Sequence, residues 1–255
     1  MPAAAHRTLA VLAALTAAPG PRTLAQLTAD TGVPRVSLVR LLAALEEEGG
    51  VVTDAAGRYS PSLLPWTIAA GTVSRGGVRD VAFPYLADLA HRVPANVNLC
   101  LPTFPQGIVV ESLTAVGGRL TSRLVESGPF HLLATAVGRV IAAFETAENR
   151  EAVLRMPLPA ATPFTRNDSA TLAGELALVR ERGYATIDRE HVETVSGFAV
   201  PLFRAGGTPA GAIGFARPGP LDEEFVQQHV TVARESADRI SWELGWRSGQ
   251  AARLS

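Results

Sequence analysis

Arg35 and Arg40 lie close together in the chain, with Val36 and Ser37 between them, and Arg22, Thr23 and Arg58 flank them on either side. A guanidinium is a planar fork that stays charged and can donate two parallel N–H bonds. It therefore matches a phosphate, or the O6/N7 edge of guanine. A serine or threonine hydroxyl adds one bond to either target. Nothing here forms an acid/base pair or an activated nucleophile, so the chemistry on offer is recognition rather than turnover. Recognition of this kind needs a rigid rod to hold the central residues at the surface.

The flanking sequence supplies such a rod. Leu9, Leu12, Ala13 and Thr16 recur at helical spacing and predict a first helix over about 4–17, ended by Ala18-Pro19-Gly20-Pro21. Thr23-Leu24-Ala25-Gln26 has the form of a capping box, which starts a second helix over about 24–31. Thr31-Gly32-Val33-Pro34 is a tight turn, and Pro34 suits the first position of a third helix over about 34–48. In that helix Leu38, Leu41, Leu42 and Leu45 form a stripe that must face a core. Val36, Arg40 and Ala43 occupy the opposite face, with Ser37 beside it. Small side chains and an arginine there suit a helix that enters a groove, whose N-terminal part meets the bases. Glu46, Glu47 and Glu48 would repel DNA, which places them beyond the groove on a solvated end. Val51-Val52-Thr53, a turn at Asp54-Ala55-Ala56-Gly57 and Arg58-Tyr59-Ser60 then predict a two-stranded hairpin of the wing type. Arg58 on its return strand is within reach of a phosphate.

Composition bounds the rest. At 255 residues, 47% of them hydrophobic, the chain suits two domains with a substantial core. A net charge of −1 excludes a basic polymer that coats nucleic acid indiscriminately. Every basic residue is arginine. The single cysteine, Cys100, rules out an internal disulfide and a CxxC zinc site. The N-terminus carries no signal-peptide pattern and no apolar run reaches the ~20 residues of a membrane span, so a cytoplasmic protein with no membrane association is expected.

Residues 6–75 resemble the N-terminal domain of IclR-type transcriptional regulators. Leu24-Ala25-Gln26-Leu27, Thr31-Gly32-Val33-Pro34, Ser37, Arg40-Leu41-Leu42 and Leu45-Glu46 followed by Glu48-Gly49 track that family's helix-turn-helix, and Gly57-Arg58-Tyr59 tracks its wing. Where the family usually starts the recognition helix with Lys-Ser-Thr, this chain has Arg35-Val36-Ser37, so an operator sequence does not carry over. Leu63, Leu64, Trp66, Thr67 and Ile68, leading to Arg75-Gly76-Gly77, resemble its linker helix, with Trp66 a packing anchor.

The remaining sequence predicts a helix near 79–92, which Pro84 kinks or restarts, and strands over 97–101, 108–112 and 119–125. A helix at about 135–147 and another over 170–182, capped by Gly183, precede strands near 184–188, 196–203 and 210–216. A last helix runs over about 222–246. This α+β order, an antiparallel sheet with flanking helices, resembles the family's GAF-like effector domain. The resemblance rests on Ala134-Thr135-Ala136-Val137-Gly138-Arg139, Gly183-Tyr184-Ala185 and Ala199-Val200-Pro201-Leu202-Phe203. It implies residues 1–61 as a winged helix-turn-helix, 62–77 as a linker helix and 78–255 as an effector-binding and oligomerisation domain.

By the same resemblance an effector pocket includes Thr135, Ala136, Ile187, Asp188, Gly197, Gly214 and Ala216. Relatives that bind small organic acids carry an acid, a cysteine and serines at positions that here are Ile187, Gly197, Gly214 and Ala216. Arg189 stands in the acidic run. The pocket is expected to take a larger or more apolar ligand than a short keto acid, with Gly197 and Gly214 freeing volume. Two alternatives stay open: a register offset by one or two residues, or no small ligand.

Other candidates carry less. His91, His131, His191 and Cys100 are too dispersed for a metal site, and no cofactor is expected. Ser127-Gly128 and Ser196-Gly197 lack the frame of a nucleophile elbow. Gly206-Gly207 reads as a hairpin turn, and Arg119 and Arg123 share one strand face. The expected protein is not an enzyme. It is a ligand-responsive regulator that binds palindromic double-stranded operator DNA as a homodimer, or as dimers paired into a tetramer. The alternative is a GAF-like sensor whose winged helix contacts protein, which the balance of six arginines against five acids over 1–75 keeps open.

Overall fold

The computed structural model describes residues 4–65, 67–68, 77–123 and 129–247, in two compact units that divide between Arg75 and Gly76. No helix among the described residues is long and apolar enough to cross a membrane.

In the first unit α1 (Ala4–Ala17), α2 (Leu24–Thr31) and α3 (Arg35–Glu47) surround a small core of Val11, Leu15, Leu27, Val33, Leu38, Leu42 and Val51. The capping box forms in full. Thr23 Oγ1 accepts from the Gln26 N–H, and Gln26 Oε1 accepts from the Thr23 N–H at 2.9 Å. Gly32, at φ 65°, closes α2 in the left-handed conformation that favours glycine. Pro34 is the residue before α3 rather than its first turn, with an extended ψ of 137°. The wing pairs β1 (Val51–Thr53) with β2 (Tyr59–Pro61), and Arg22 adds a bridge to Tyr59 through reciprocal backbone bonds. Residues 64, 65, 67 and 68 are helical where a linker helix was expected; Trp66 and 69–76 lie outside the described residues.

The second unit is an antiparallel sheet in the order β5-β4-β3-β9-β8-β7. Its strands are β3 (Asn96–Thr103), β4 (Gln106–Val116), β5 (Arg119–Arg123), β7 (Ala185–Val192), β8 (Val195–Phe203) and β9 (Pro209–Pro218). A short β6 (Phe130–His131) pairs with the start of β4. The Gly206-Gly207 turn joins β8 to β9 as predicted. Alternation gives the sheet two faces. One presents Val97, Leu99, Phe198, Val200, Ile213 and Phe215, all buried. Against it lie α4 (Val78–Arg92) and α8 (Glu223–Glu243), where Phe198 stacks on Phe215 at 4.6 Å and meets Phe225 edge-on. Pro84 does not restart α4, which is continuous through it.

The other face presents Cys100, Ala185, Ile187, Ala199 and Ala212 to α5 (Ala136–Phe144), and α7 (Ser169–Arg182) packs behind α5. The predicted helix over 135–147 stops at Phe144. Thr146 then caps a separate α6 (Ala147–Arg155), accepting from the Asn149 N–H at 3.2 Å. A hydroxyl cap two residues past the end of one helix starts another. Of the third strand's predicted span, 124–125 lies outside the described residues, as does Ser127-Gly128.

Candidate nucleic-acid interface and effector cavity

The N-terminal half of α3 points its stripe of Val36, Val39, Arg40 and Ala43 to solvent, opposite the buried Leu38 and Leu42. Val36 is 71% exposed. Arg35 and Arg40 are exposed and Ser37 is half-buried. No side-chain hydrogen bond or ion pair engages Arg35, Ser37 or Arg40 among the described residues. The flanking groups differ. Arg22 Nε lies 3.5 Å from Asp30 Oδ2. Thr23 is held by its cap with Gln26. Arg58 pairs with Asp54 at 2.8 Å, and Asp54 also accepts from the Ala56 and Arg58 N–H groups at 2.9 Å each. Those bonds hold the Asp54 carboxyl below the usual carboxylate range; the Arg58 backbone N–H contributes most. Glu46, Glu47 and Glu48 are solvated at the far end of α3.

In the second unit α5 leaves a cavity of about 250 Å³ between its N-terminus and the sheet. Thr135, Ala136, Ile187, Gly197, Gly214 and Ala216 all line it. Asp188 does not. Adjacent strand residues face opposite ways, and the Asp188 carboxylate accepts from Arg189 Nε at 2.9 Å, from the Leu221 N–H at 3.0 Å and from Ser196 Oγ at 3.0 Å. The Arg189 guanidinium is the main reason that its pKa falls to about 2. Arg189 itself sits at φ 57°, where the pairing of β7 with β8 shifts register, and its guanidinium lies 4.0 Å from the Phe164 ring centre.

The two glycines do not free volume as the sequence suggested. A Cβ on Gly214 would stand 2.5 Å from Val137 Cγ1, and one on Gly197 2.0 Å from the Phe215 carbonyl oxygen. They permit close approach, of α5 to β9 and of β8 to β9, and that contact fills the space.

Sequence reasoning missed Asn98, Cys100, Phe130 and His191 as further lining residues. Asn98 and Cys100 alternate on β3 with buried Val97 and Leu99, a pattern that places them on the α5 face. The Asn98 amide has no hydrogen-bond partner among the described residues. Thr135 Oγ1 accepts from the Gly138 N–H, which caps α5. Burial pushes the Cys100 thiol up and the His191 ring down.

Behind the cavity runs a chain of alternating charges. Arg139, with no exposure, donates to both oxygens of Glu190, at 3.0 and 2.5 Å. Arg166 donates to Glu190 at 2.6 Å and to Glu175 at 3.0 Å, and Arg182 reaches Glu175 at 3.1 Å. Burial alone would raise the Glu190 pKa; the two arginines reverse this and hold the carboxylate charged. The network ties α5, β7, the 156–168 segment and α7 together. Among the described residues no group of three or more His, Cys, Asp or Glu could hold a metal ion.

A helix-turn-helix with a wing and an arginine face that has no partner among the described residues, followed by an antiparallel sheet whose flanking helix leaves a cavity, defines the class as a transcriptional regulator. Residues 4–55 match the IclR helix-turn-helix domain, and residues 70–242 match the family described as "Bacterial transcriptional regulator IclR C-terminal". The chain belongs to the IclR family. It is 26% identical over 227 residues to the HTH-type transcriptional regulator KipR of Bacillus subtilis, covering 88% of this chain and 90% of that one. It is also 26% identical over 252 residues to the HTH-type transcriptional repressor AllR of Escherichia coli, covering 95% and 90%. Among solved structures, an IclR-type regulator from Alicyclobacillus acidocaldarius is similar with a TM-score of 0.80 and 26% identity over 95% of this chain and 98% of that one. An IclR homologue from Microbacterium hydrocarbonoxydans, complexed with 4-hydroxybenzoate, shares the fold with a TM-score of 0.76 and 22% identity, covering 95% and 99%. The protein is a DNA-binding transcriptional regulator and not an enzyme.

Proposed function

We propose that residues 1–61 bind palindromic operator DNA, that 62–77 link the two domains, and that 78–255 bind an effector and form the oligomer, a homodimer or a pair of dimers, in the cytoplasm. Arg35, Val36, Ser37 and Arg40 enter the major groove; Arg22, Thr23 and Arg58 meet phosphates. The observation that carries this reading is the α3 face, whose arginines and serine have no partner among the described residues while the opposite stripe is buried. One monomer offers few contacts, so specificity calls for two half-sites. Arg58 holds Asp54 through Nε and Nη2, and its Nη1 is the group that would meet a phosphate.

The effector is a compact molecule with an apolar body and one polar or anionic end. Apolar side chains and backbone make most of the cavity wall, and no arginine among the described residues lines it. The first turn of α5, at Ala136 and Val137, offers backbone N–H groups at one end, where a helix start favours an acceptor or anion. Asn98 supplies a second hydrogen-bonding group. A short keto acid would leave most of this wall uncovered, whereas an aromatic acid, the class of the ligand in the Microbacterium homologue, would cover it. The effector acts by biasing how the DNA-binding domains are held.

Mobility shifts with DNA from upstream of the protein's own gene and its neighbours test the first half. A discrete, competitor-resistant shift supports it. No saturable binding at low salt favours the protein-contact alternative. Thermal shift tests the second half: stabilisation by pyruvate or glyoxylate with aromatic acids silent refutes the apolar pocket.

A further inference from the structure

The exposed stripe of α3 is unusual in what it lacks. Solvent faces of helices carry charged and polar residues. Here the positions spaced i, i+3, i+4, i+7 are Val36, Val39, Arg40 and Ala43, with no acid among them. Val36 is 71% exposed and Val39 45%. A single exposed valine needs no explanation. Two on one stripe, beside an arginine with no partner among the described residues, form a small apolar surface with a cationic edge.

Such a surface has one fitting target in a major groove. A valine cannot bond a phosphate or a base donor. The apolar group that the four bases present there is the C5-methyl of thymine. Val36 lies in the first turn of α3, which meets the bases, and is short enough to let the helix approach closely. Arg40 stands one turn further along the same face and supplies the charge that holds the helix in the groove. We infer that Val36 selects thymine, packing its methyl groups on the C5-methyl of one thymine in each half-site. The inference rests on the DNA-reading proposal above and sharpens it to one base.

The test equilibrates the full chain with a pool of randomised duplexes and recovers the bound sequences. Affinities for the enriched site are then measured by fluorescence anisotropy. The expected half-site contains a thymine whose replacement by deoxyuridine, which removes only the C5-methyl, weakens binding of the unaltered protein about fourfold per half-site, as for one methyl group returned to water. The Val36→Ala protein, with an unchanged melting temperature, binds thymine and deoxyuridine sites equally. If no thymine in the half-site responds to deoxyuridine, or if Val36→Ala responds as strongly as the original, the inference fails while DNA reading stands. A pool without enrichment removes the DNA-reading proposal and this inference together.

Discussion

The two helices that carry the candidate sites, α3 and α5, use their surfaces in opposite ways. α3 buries one stripe, Leu38 and Leu42, and leaves the other bare. α5 is buried at every position from Ala136 to Ala143. What α3 does depends on the side chains it shows. What α5 does depends on the space it fails to fill between itself and the sheet. Changes to the exposed face of α3 should therefore alter affinity without altering stability. Changes around α5 should alter stability first.

The largest expected effect breaks the anchor of α5. Glu190→Gln leaves the buried Arg139 guanidinium without its counter-charge, and urea unfolding should show a loss of about 3–5 kcal/mol in the second unit. A loss below about 1 kcal/mol would mean that α5 is held by packing alone. On α3, Arg40→Ala should weaken operator binding by about 1–3 kcal/mol with no change in melting temperature. Binding within about threefold of the original would take Arg40 out of the groove. Gly214→Ala sharpens the contrast from the sensor side. Its Cβ would meet Val137 Cγ1, so calorimetry should report about 1–3 kcal/mol of destabilisation from overpacking, with DNA contacts untouched. A neutral result would show that α5 can move off the sheet freely.

Thr23→Ala removes the hydroxyl that caps α2 and should cost about 1 kcal/mol by chemical denaturation. The smallest effect belongs to Asp188. Its carboxyl drops from 3.8 unfolded to about 2 folded, chiefly through Arg189. Its contribution is complete above the unfolded value and is lost as pH falls through the folded one. The pair is partly exposed, so Asp188→Asn should cost about 1 kcal/mol or less at neutral pH. That difference should shrink as the pH falls below about 4 and vanish only below about 2; one that persists there would assign the effect to packing.

The first unit was legible because its signals are local. A capping box, a glycine stop and a leucine stripe each lie within one helical turn or two of what they specify. The sheet faces were legible by alternation, which turns the Asp188 carboxylate away from the cavity that Ile187 lines, toward Arg189 and the Leu221 N–H. The rest was not local. Glu190 meets Arg139 and Arg166 from distant parts of the chain, and no spacing announces a partner that far away. The separate α6 hid because only Val153 in it is buried, which leaves no stripe to read. Gly197 and Gly214 were read as missing bulk, whereas a close neighbour fills each place. A cavity is a difference between volumes, and single residues do not spell it.

The central pairing of the sheet joins β3 (Asn96–Thr103) to β9 (Pro209–Pro218), whereas the winged unit needs nothing beyond Pro61 for its wing. During synthesis the N-terminal domain folds first, at roughly 5–20 residues per second, so the DNA-reading unit is finished roughly 10 to 30 s before the sensor can close its sheet. For that interval the nascent chain carries an address without a receiver.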